Sequence, residues 1–207
     1  DAHEGNRELD AALREFGSPD YVGIGTVNPV YPDWERDLEE CVERFDFRAV
    51  RLLPRYHGYD WAEPALERFF AMAAAAGLPV MVPCRLEDCR HRALLDVTTE
   101  MTLAELNALA AKYPEVKFIA AEYYIFERDV VHAPANIYYE FSRILEDFYP
   151  IESLRDAVGA RRLLLGSGLP FKNPQVSITK LLNASWPPDE MAAVAAGNAS
   201  GLLHRPT

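Results

Sequence analysis

An α/β fold built on a parallel sheet is the fold class the sequence predicts, on three observations. Short apolar runs alternate with amphipathic helical segments along the whole chain. The runs are apolar on both faces, as strands covered by helices on each side must be. The 207 residues suffice for one core, and no linker, repeat or low-complexity stretch divides them, so residues 1–207 read as a single domain. Right-handed crossovers then leave two arrangements, a (β/α) barrel or an open doubly wound sheet.

The elements follow in order. "YVGIGTVNP" (Tyr21 to Pro29) is a short apolar run stopped by Asn-Pro and reads as a strand. "PDWERDLEECVERF" places Trp34, Leu38, Cys41, Val42 and Phe45 at helical spacing. "AVRLLP" (Ala49 to Pro54) is the second strand, and "PALERFFAMAAAAG" is a helix with Pro64 in its first turn and Gly77 at its end. Strand "PVMVPCR" (Pro79 to Arg85) precedes a polar loop and helix "TLAELNALAAKY", capped by Thr102. Strand "VKFIAAE" (Val116 to Glu122) leads into a long connection containing "YYIFERDVVHAP". "NIYYEFS" (Asn136 to Ser142) is the fifth strand, "IESLRDAVGA" a helix and "RLLLGSG" (Arg162 to Gly168) the sixth strand. Helical pieces around "PQVSITKLLN" and "PPDEMAAVAAGN" close the chain.

Composition narrows the function. With 49% hydrophobic and 26% charged residues the chain is an ordinary globular protein. A formal charge of −11 disfavours nucleic acid and anionic membrane as partners. A small anionic molecule and a second copy of the chain stay open. No apolar run approaches the roughly 20 residues of a membrane span, and the start "DAHEGNRELD" is polar and acidic, unlike a leader. Cys41, Cys84 and Cys89 lie too irregularly for a disulfide framework, which points to a reducing compartment such as the cytoplasm. "GIGTVNP" is the nearest approach to a phosphate-binding fingerprint, but it lacks the third glycine and does not open a helix, so a dinucleotide is not expected.

Several segments in series resemble one family. "YVGIGTVNP", "FRAVRLLPRYHGYDWAEPALERFFAMAAAAGLPVMV", "LNALAAKYPEVKFIAA", "RRLLLGSGLPF" and "GNASGLL" are similar to the amidohydrolase-related TIM-barrel proteins, which include metal-dependent hydrolases and aromatic-acid decarboxylases. The resemblance implies a TIM-like (β/α) barrel. Six strands are two fewer than the eight of a full barrel, so either the barrel is incomplete or two strands precede Asp1. An open gap is expected between the strand at Tyr21–Pro29 and that at Arg162–Gly168. The resemblance also implies metal ligands that this sequence lacks. The family's last strand ends Gly-Ser-Asp-x-Pro, and Gly168 takes the aspartate's place. Pro83 and Glu122 stand where histidines end two other strands, and the His-x-His pair of the first strand would lie before Asp1; His3 forms no such pair. A catalytic zinc needs about three protein ligands, so no metal site is expected in this sequence, and zinc enters only if further ligands lie upstream.

The C-terminal strand ends of such a barrel carry its chemistry. Here they supply Asn28, Arg51, Arg55, His57, Arg85, Glu122, Tyr123, Glu140 and Ser167. Arg51, Arg55 and Arg85, with Tyr123 and Glu140, read as a wall for an anionic substrate, because guanidinium groups grip carboxylates in bidentate fashion. Arg-x-Glu-Asp runs recur in the resembling proteins, which adds Asp88 and Glu87 to that wall. Glu122 reads as a ligand or base, and His57, in "PRYHGYDW", as a proton-transfer group. The plain alternatives are that Arg51, Arg85, Glu122 and Glu140 pair with one another and plug the mouth, and that His57 only shapes its loop. Cys84, Asp88, Cys89 and His91 fit no zinc spacing, Ser167 sits in no nucleophile elbow, and Cys41 falls on an apolar helix face.

Three functions are compatible with this reading. The first is a relative with a degraded metal site and no zinc-hydrolase activity, a pseudoenzyme or small-ligand binder. The second is a hydrolase or decarboxylase of a small carboxylate or carbonyl compound with a rebuilt site. The third is a structural subunit of a larger complex.

Overall fold

The computed structural model describes residues 1–85, 100–143, 150–170 and 172–204. Among them, six parallel strands pair in chain order: β1 (Ile24–Thr26), β2 (Ala49–Arg51), β3 (Val80–Pro83), β4 (Phe118–Ala121), β5 (Ile137–Glu140) and β6 (Leu163–Leu164). The helices are α1 (Ala2–Phe16), α2 (Trp34–Glu43), α3 (Pro54–His57), α4 (Ala65–Ala75), α5 (Leu103–Lys112), α6 (Glu127–Val130), α7 (Ile151–Val158), α8 (Pro174–Asn183), α9 (Pro188–Ala192) and α10 (Asn198–Leu203). No helix of the described residues is long and apolar enough to cross a membrane.

Local chemistry explains most element ends. Thr102 Oγ1 accepts from Glu105 N at 3.2 Å while Glu105 Oε2 accepts from Thr102 N at 2.8 Å, a reciprocal cap that starts α5. Asn173 caps α8 ahead of Pro174. Three expectations shift. The strands are shorter than the apolar runs, because the runs continue as ordered loop; Arg162 ends a 3₁₀ turn (Ala160–Arg162) rather than opening β6. "PRYH" is the short helix α3, started by Pro54, and not a loop. The last helical piece runs on to Leu203 through a wide turn at Ala193–Gly197.

Alternation along the strands divides the interior in two. Val50, Val80, Val82, Phe118, Ala120, Ile137, Tyr139 and Leu163 join the larger core beneath the helices, where the Phe70 ring centre lies 4.3 Å from that of Tyr113, tilted, and 5.6 Å from that of Phe118, edge-on. Met81, Ile119, Tyr138 and Leu164 face the other way and pack on Leu202 and Leu203 of α10. At Gly25 a Cβ would lie 2.5 Å from Cys41 Sγ and 2.9 Å from Phe47 Cδ2, so glycine is what lets β1 approach α2.

The gap between β1 and β6 is present, since these two strands are the sheet's edges. Asparagines close both. Asn6 of α1, only 3% exposed, donates to Thr26 O and accepts from Thr26 N, each at 2.8 Å. Its side-chain amide thus supplies β1 with the donor and acceptor that a neighbouring strand would have given. At the other edge Asn198 Nδ2 donates to Ala160 O and Leu163 O, both at 2.8 Å, and Leu165 N donates to Val194 O at 3.2 Å.

Asn6→Ala strips two backbone groups of Thr26 of their partners. Unsatisfied buried polar groups cost about 1–3 kcal/mol, so thermal unfolding should begin earlier by about 2–4 °C per kcal/mol lost. Asn6→Asp restores only the acceptor and sets a carboxylate against Thr26 O, and should rescue nothing. An unchanged melting curve for both variants would show that the edge does not depend on this amide.

Candidate functional site

Register places the strand ends side by side. Thr26, Arg51, Met81, Ile119 and Tyr138 form one row across the sheet. Beyond it, Pro83 pairs with Ala121 and Glu140 with Leu164. Met81, Ile119, Tyr138 and Leu164 belong to the inner cluster, so Arg51 and Glu140 stand on the inner face too.

The densest polar node lies beyond β4, β5 and β6. Lys172 Nζ donates to Glu122 Oε2, and to Ser142 Oγ at 3.2 Å. Arg143 Nη1 lies 3.5 Å from the same Glu122 oxygen, and its Nη2 donates to Tyr124 Oη at 2.8 Å. Ser142 donates from its backbone to Glu140 Oε1 at 2.6 Å and from its hydroxyl to Glu140 Oε2 at 3.0 Å. Burial pushes the Glu140 carboxyl above the usual range; the Ser142 bonds and Lys172 oppose this, and the Glu122 charge adds to it.

Two backbone features make room for the node. Glu122 adopts φ 65°, a left-handed conformation uncommon outside glycine. Gly168, also left-handed at φ 66°, lies under the lysine, where a Cβ would sit 2.5 Å from Lys172 Cδ and 2.9 Å from its Cγ. Gly166 likewise leaves its Cβ space to the Glu140 carboxylate.

Among the described residues neither Arg51 nor Arg85 pairs with Glu122 or Glu140, so the mutual plug of these four is not what forms; Arg143 and Lys172 meet Glu122 instead. Arg51 Nη2 and Nε donate to Thr26 Oγ1 at 3.0 and 3.3 Å, and burial holds its pKa below the usual guanidinium value. Arg55 Nη2 donates to Glu105 Oε1 at 2.6 Å, so the glutamate that caps α5 also anchors this arginine. Arg85, 4% exposed, meets Glu100 at 2.5 Å through Nη1 and lies 5.1 Å from the Tyr124 ring. The partners thus come from the neighbouring strand β1 for Arg51, the start of α5 for Arg55 and the loop before α5 for Arg85.

The other sequence candidates separate. Tyr123 is buried in the larger core, its phenol pushed well up by burial; its neighbour Tyr124 is the one beside the arginines. Asn28 Oδ1 and Ser167 Oγ accept from backbone N–H groups two residues on, so both shape turns. His3 Nδ1 lies 2.7 Å from Asp37 Oδ1. Cys84 donates to Met101 O at 3.1 Å and its thiol is pushed up to about 11, chiefly by burial. Cys41 is buried, as expected. Glu87, Asp88, Cys89 and His91 lie outside the described residues. Among those described, no three His, Cys, Asp or Glu side chains are grouped to hold a metal ion.

Sequence reasoning missed Ser142, Arg143 and Lys172. One signal was available for the lysine. Of the chain's four lysines, at 112, 117, 172 and 180, only Lys172 stands in a loop leaving a strand's C-terminal end, where Glu122 needed a counter-charge.

The comparisons with known proteins follow this geometry. The family model described as amidohydrolase matches residues 1–205. An uncharacterized TIM-barrel protein from Bordetella bronchiseptica is similar in structure, with TM-score 0.73 at 15% identity over 96% of this chain and 71% of that one. 5-Carboxyvanillate decarboxylase from Sphingomonas paucimobilis gives TM-score 0.71 at 15% identity over 98% and 73%. Dihydroxybenzoic acid decarboxylase from Polaromonas sp. JS666, with bound manganese and the inhibitor 2-nitroresorcinol, gives 0.72 at 16% over 98% and 74%. At such identities the likeness establishes the TIM-barrel α/β fold. No curated protein matches the chain.

His57 Nδ1 is buried without a hydrogen-bond partner among the described residues, and its pKa is lowered first by burial and then by the Arg51 charge. Its NMR titration should therefore fall below about 6.5. Arg51→Met should raise the midpoint only in part, because burial is the larger cause. As pH falls through about 6.5 the unfolded chain takes the proton first, so the contribution of His57 to stability is present above that pH and lost below it. A midpoint at or above the free value would contradict the burial read here.

Proposed function

Because the chain belongs to the amidohydrolase family, we propose that it is a metal-independent member that holds a small carboxylate at the C-terminal mouth of its barrel. One observation carries this reading: Lys172 reaches across the strand ends to the carboxylate of Glu122.

The donor set does not fit a divalent ion. Pro83 and Gly168 offer no side-chain ligand. Glu122 is already neutralised by Lys172 and approached by Arg143. Glu140 is committed to Ser142 by two hydrogen bonds and resists ionisation. A metal entering between these two carboxylates would have to displace an ammonium, and about three ligands are needed, while no such group of three is formed among the described residues. The lysine and an aspartate at position 168 are also sterically exclusive, since a Cβ there runs into the Lys172 chain. The manganese of the Polaromonas decarboxylase is thus no guide to the chemistry of this chain.

The arginines supply the other half of the reading. Arg51 has only a hydroxyl for a side-chain partner among the described residues, and a half-buried cation without a carboxylate is a place for an anionic ligand. Reducing conditions, with both described cysteines free, suit a cytoplasmic protein.

A second reading is favoured by the buried, unpartnered Nδ1 of His57. A depressed pKa keeps this imidazole neutral at pH 7 and able to take a proton. Turnover of a small carboxylate or carbonyl substrate by a rebuilt site would use it so.

Two measurements test the first reading. Protein produced with added manganese and zinc should retain far less than one equivalent of either by elemental analysis; stoichiometric metal would overturn the proposal. Lys172→Met leaves Glu122 without its ammonium and should destabilise by about 1–3 kcal/mol. Lys172→Met/Glu122→Gln should lose less than the sum of the single changes, because the charge needing neutralisation is gone. Additive losses would mean the pair does not hold the mouth.

A further inference from the structure

We propose that the carboxylate of Glu122 is an internal plug: it occupies the place at which the mouth takes the carboxylate of a small ligand, and the ligand binds by displacing it. The inference rests on the reading of the mouth as a site for a small carboxylate, and adds where that group sits and what holds the site closed.

Three donors from two elements surround this one carboxylate. From the loop after β6, Lys172 Nζ donates to Glu122 Oε2. From the chain beyond β5, Arg143 Nη1 approaches the same oxygen at 3.5 Å, and Ser142 Oγ lies 3.4 Å from Oε1. Ammonium, guanidinium and hydroxyl thus converge on both oxygens of a single carboxylate. The same donor set would recognise that group in a ligand. Neighbours hold the donors in place. Arg143 Nη2 donates to Tyr124 Oη at 2.8 Å, and the guanidinium carbon lies 4.7 Å from the centre of that ring. Lys172 Nζ also donates to Ser142 Oγ at 3.2 Å, and Gly168 leaves passage for the lysine's alkyl chain.

Solvent reaches this cradle. The side chains of Lys172 and Glu122 keep 25% and 23% of their surface exposed. An ion pair open to water is weaker than a buried one, so a ligand that brings its own carboxylate and further contacts can take the place of Glu122. The plug itself is set by the backbone. Glu122 directly follows the last residue of β4 and has φ 65°.

That conformation supplies the test, because glycine adopts a positive φ without strain. Glu122→Gly keeps the turn and deletes the plug, and the atoms it removes are those of propionate. Propionate is titrated into the intact protein and into Glu122→Gly by calorimetry and by melting temperature, with propionamide as the uncharged control. Glu122→Gly should bind propionate about tenfold or more tightly than the parent, and the ligand should raise its melting temperature toward the parent's. Propionamide should do neither. Lys172→Met/Glu122→Gly keeps the space but lacks the ammonium, and should lose the gain. If Glu122→Gly does not fold, Glu122→Asn takes its place with formate as the probe, since asparagine tolerates a positive φ and its shorter amide withdraws from the donors. Equal binding by parent and plug-free variant, equal binding of the acid and its amide, or a gain that survives the loss of Lys172 would each overturn the plug. The functional reading fails separately. Equal propionate binding by the parent leaves that reading standing, whereas stoichiometric metal in the parent would sink it and leave the binding gain of metal-free Glu122→Gly intact.

Discussion

Lys172 and Glu122 meet across the ends of β6 and β4, and the mouth is arranged around that contact. A partly buried carboxylate requires a counter-charge or a proton. Placing the ammonium there requires that its alkyl chain cross Gly168, which is possible because no Cβ stands in the way. It also requires that Glu122 turn from its strand. Alternation would send Glu122 to the helix-covered face with Phe118 and Ala120; the positive φ redirects it to the mouth, at a backbone cost of about 1–3 kcal/mol. Burial holds the neighbouring Glu140 toward its neutral form, with a smaller push from the Glu122 charge.

That arrangement depends on a sheet whose edges stay in place. Parallel strands expose a row of donors and acceptors at each edge, and unpaired rows invite fraying or association. Here single side-chain amides do part of the pairing. Asn6 joins β1 to α1 through both backbone groups of Thr26. The same Thr26 uses its hydroxyl to hold Arg51. Edge closure and the position of a mouth cation are therefore coupled through one residue. At β6, Asn198 and Val194 hold the strand that leads directly into Gly166, Ser167 and Gly168.

What the sequence made legible was chemistry that acts over a few residues. The Thr102 cap, Pro64 at a helix start and the apolar strand runs encode their own conformation, and these elements formed within the segments read, the strands shorter than the runs. That Pro83 and Gly168 carry no coordinating side chain was legible for the same reason, since it is a property of each residue alone. The replacement was not. Lys172 reaches Glu122 across 50 positions of sequence, and nothing local to "GLPFKNP" marks its target. Tyr123, read as part of the mouth, lies in the larger core because the left-handed Glu122 turns the chain just before it. The arginines were rightly placed at strand ends, yet their partners, Thr26, Glu105 and Glu100, come from other elements.

The charge pattern bears on what such a mouth can hold. The chain carries −11 overall, while Arg51, Arg55, Arg85, Arg143 and Lys172 gather at one end of the sheet among the described residues. Part of that positive charge is spent on Glu100, Glu105 and Glu122, and Glu140, resisting ionisation, offsets little of the rest. Two fields of opposite sign thus act at different ranges. Beyond a Debye length of about 8–10 Å the acidic surface is screened, and an approaching anion is only weakly repelled. Within that distance the guanidinium groups dominate, because their N–H donors point inward from low-dielectric walls. A polyanion would span both regions and meet the repulsive one along most of its length. On the function proposed here, a compact carboxylate is the ligand that fits inside the attractive one.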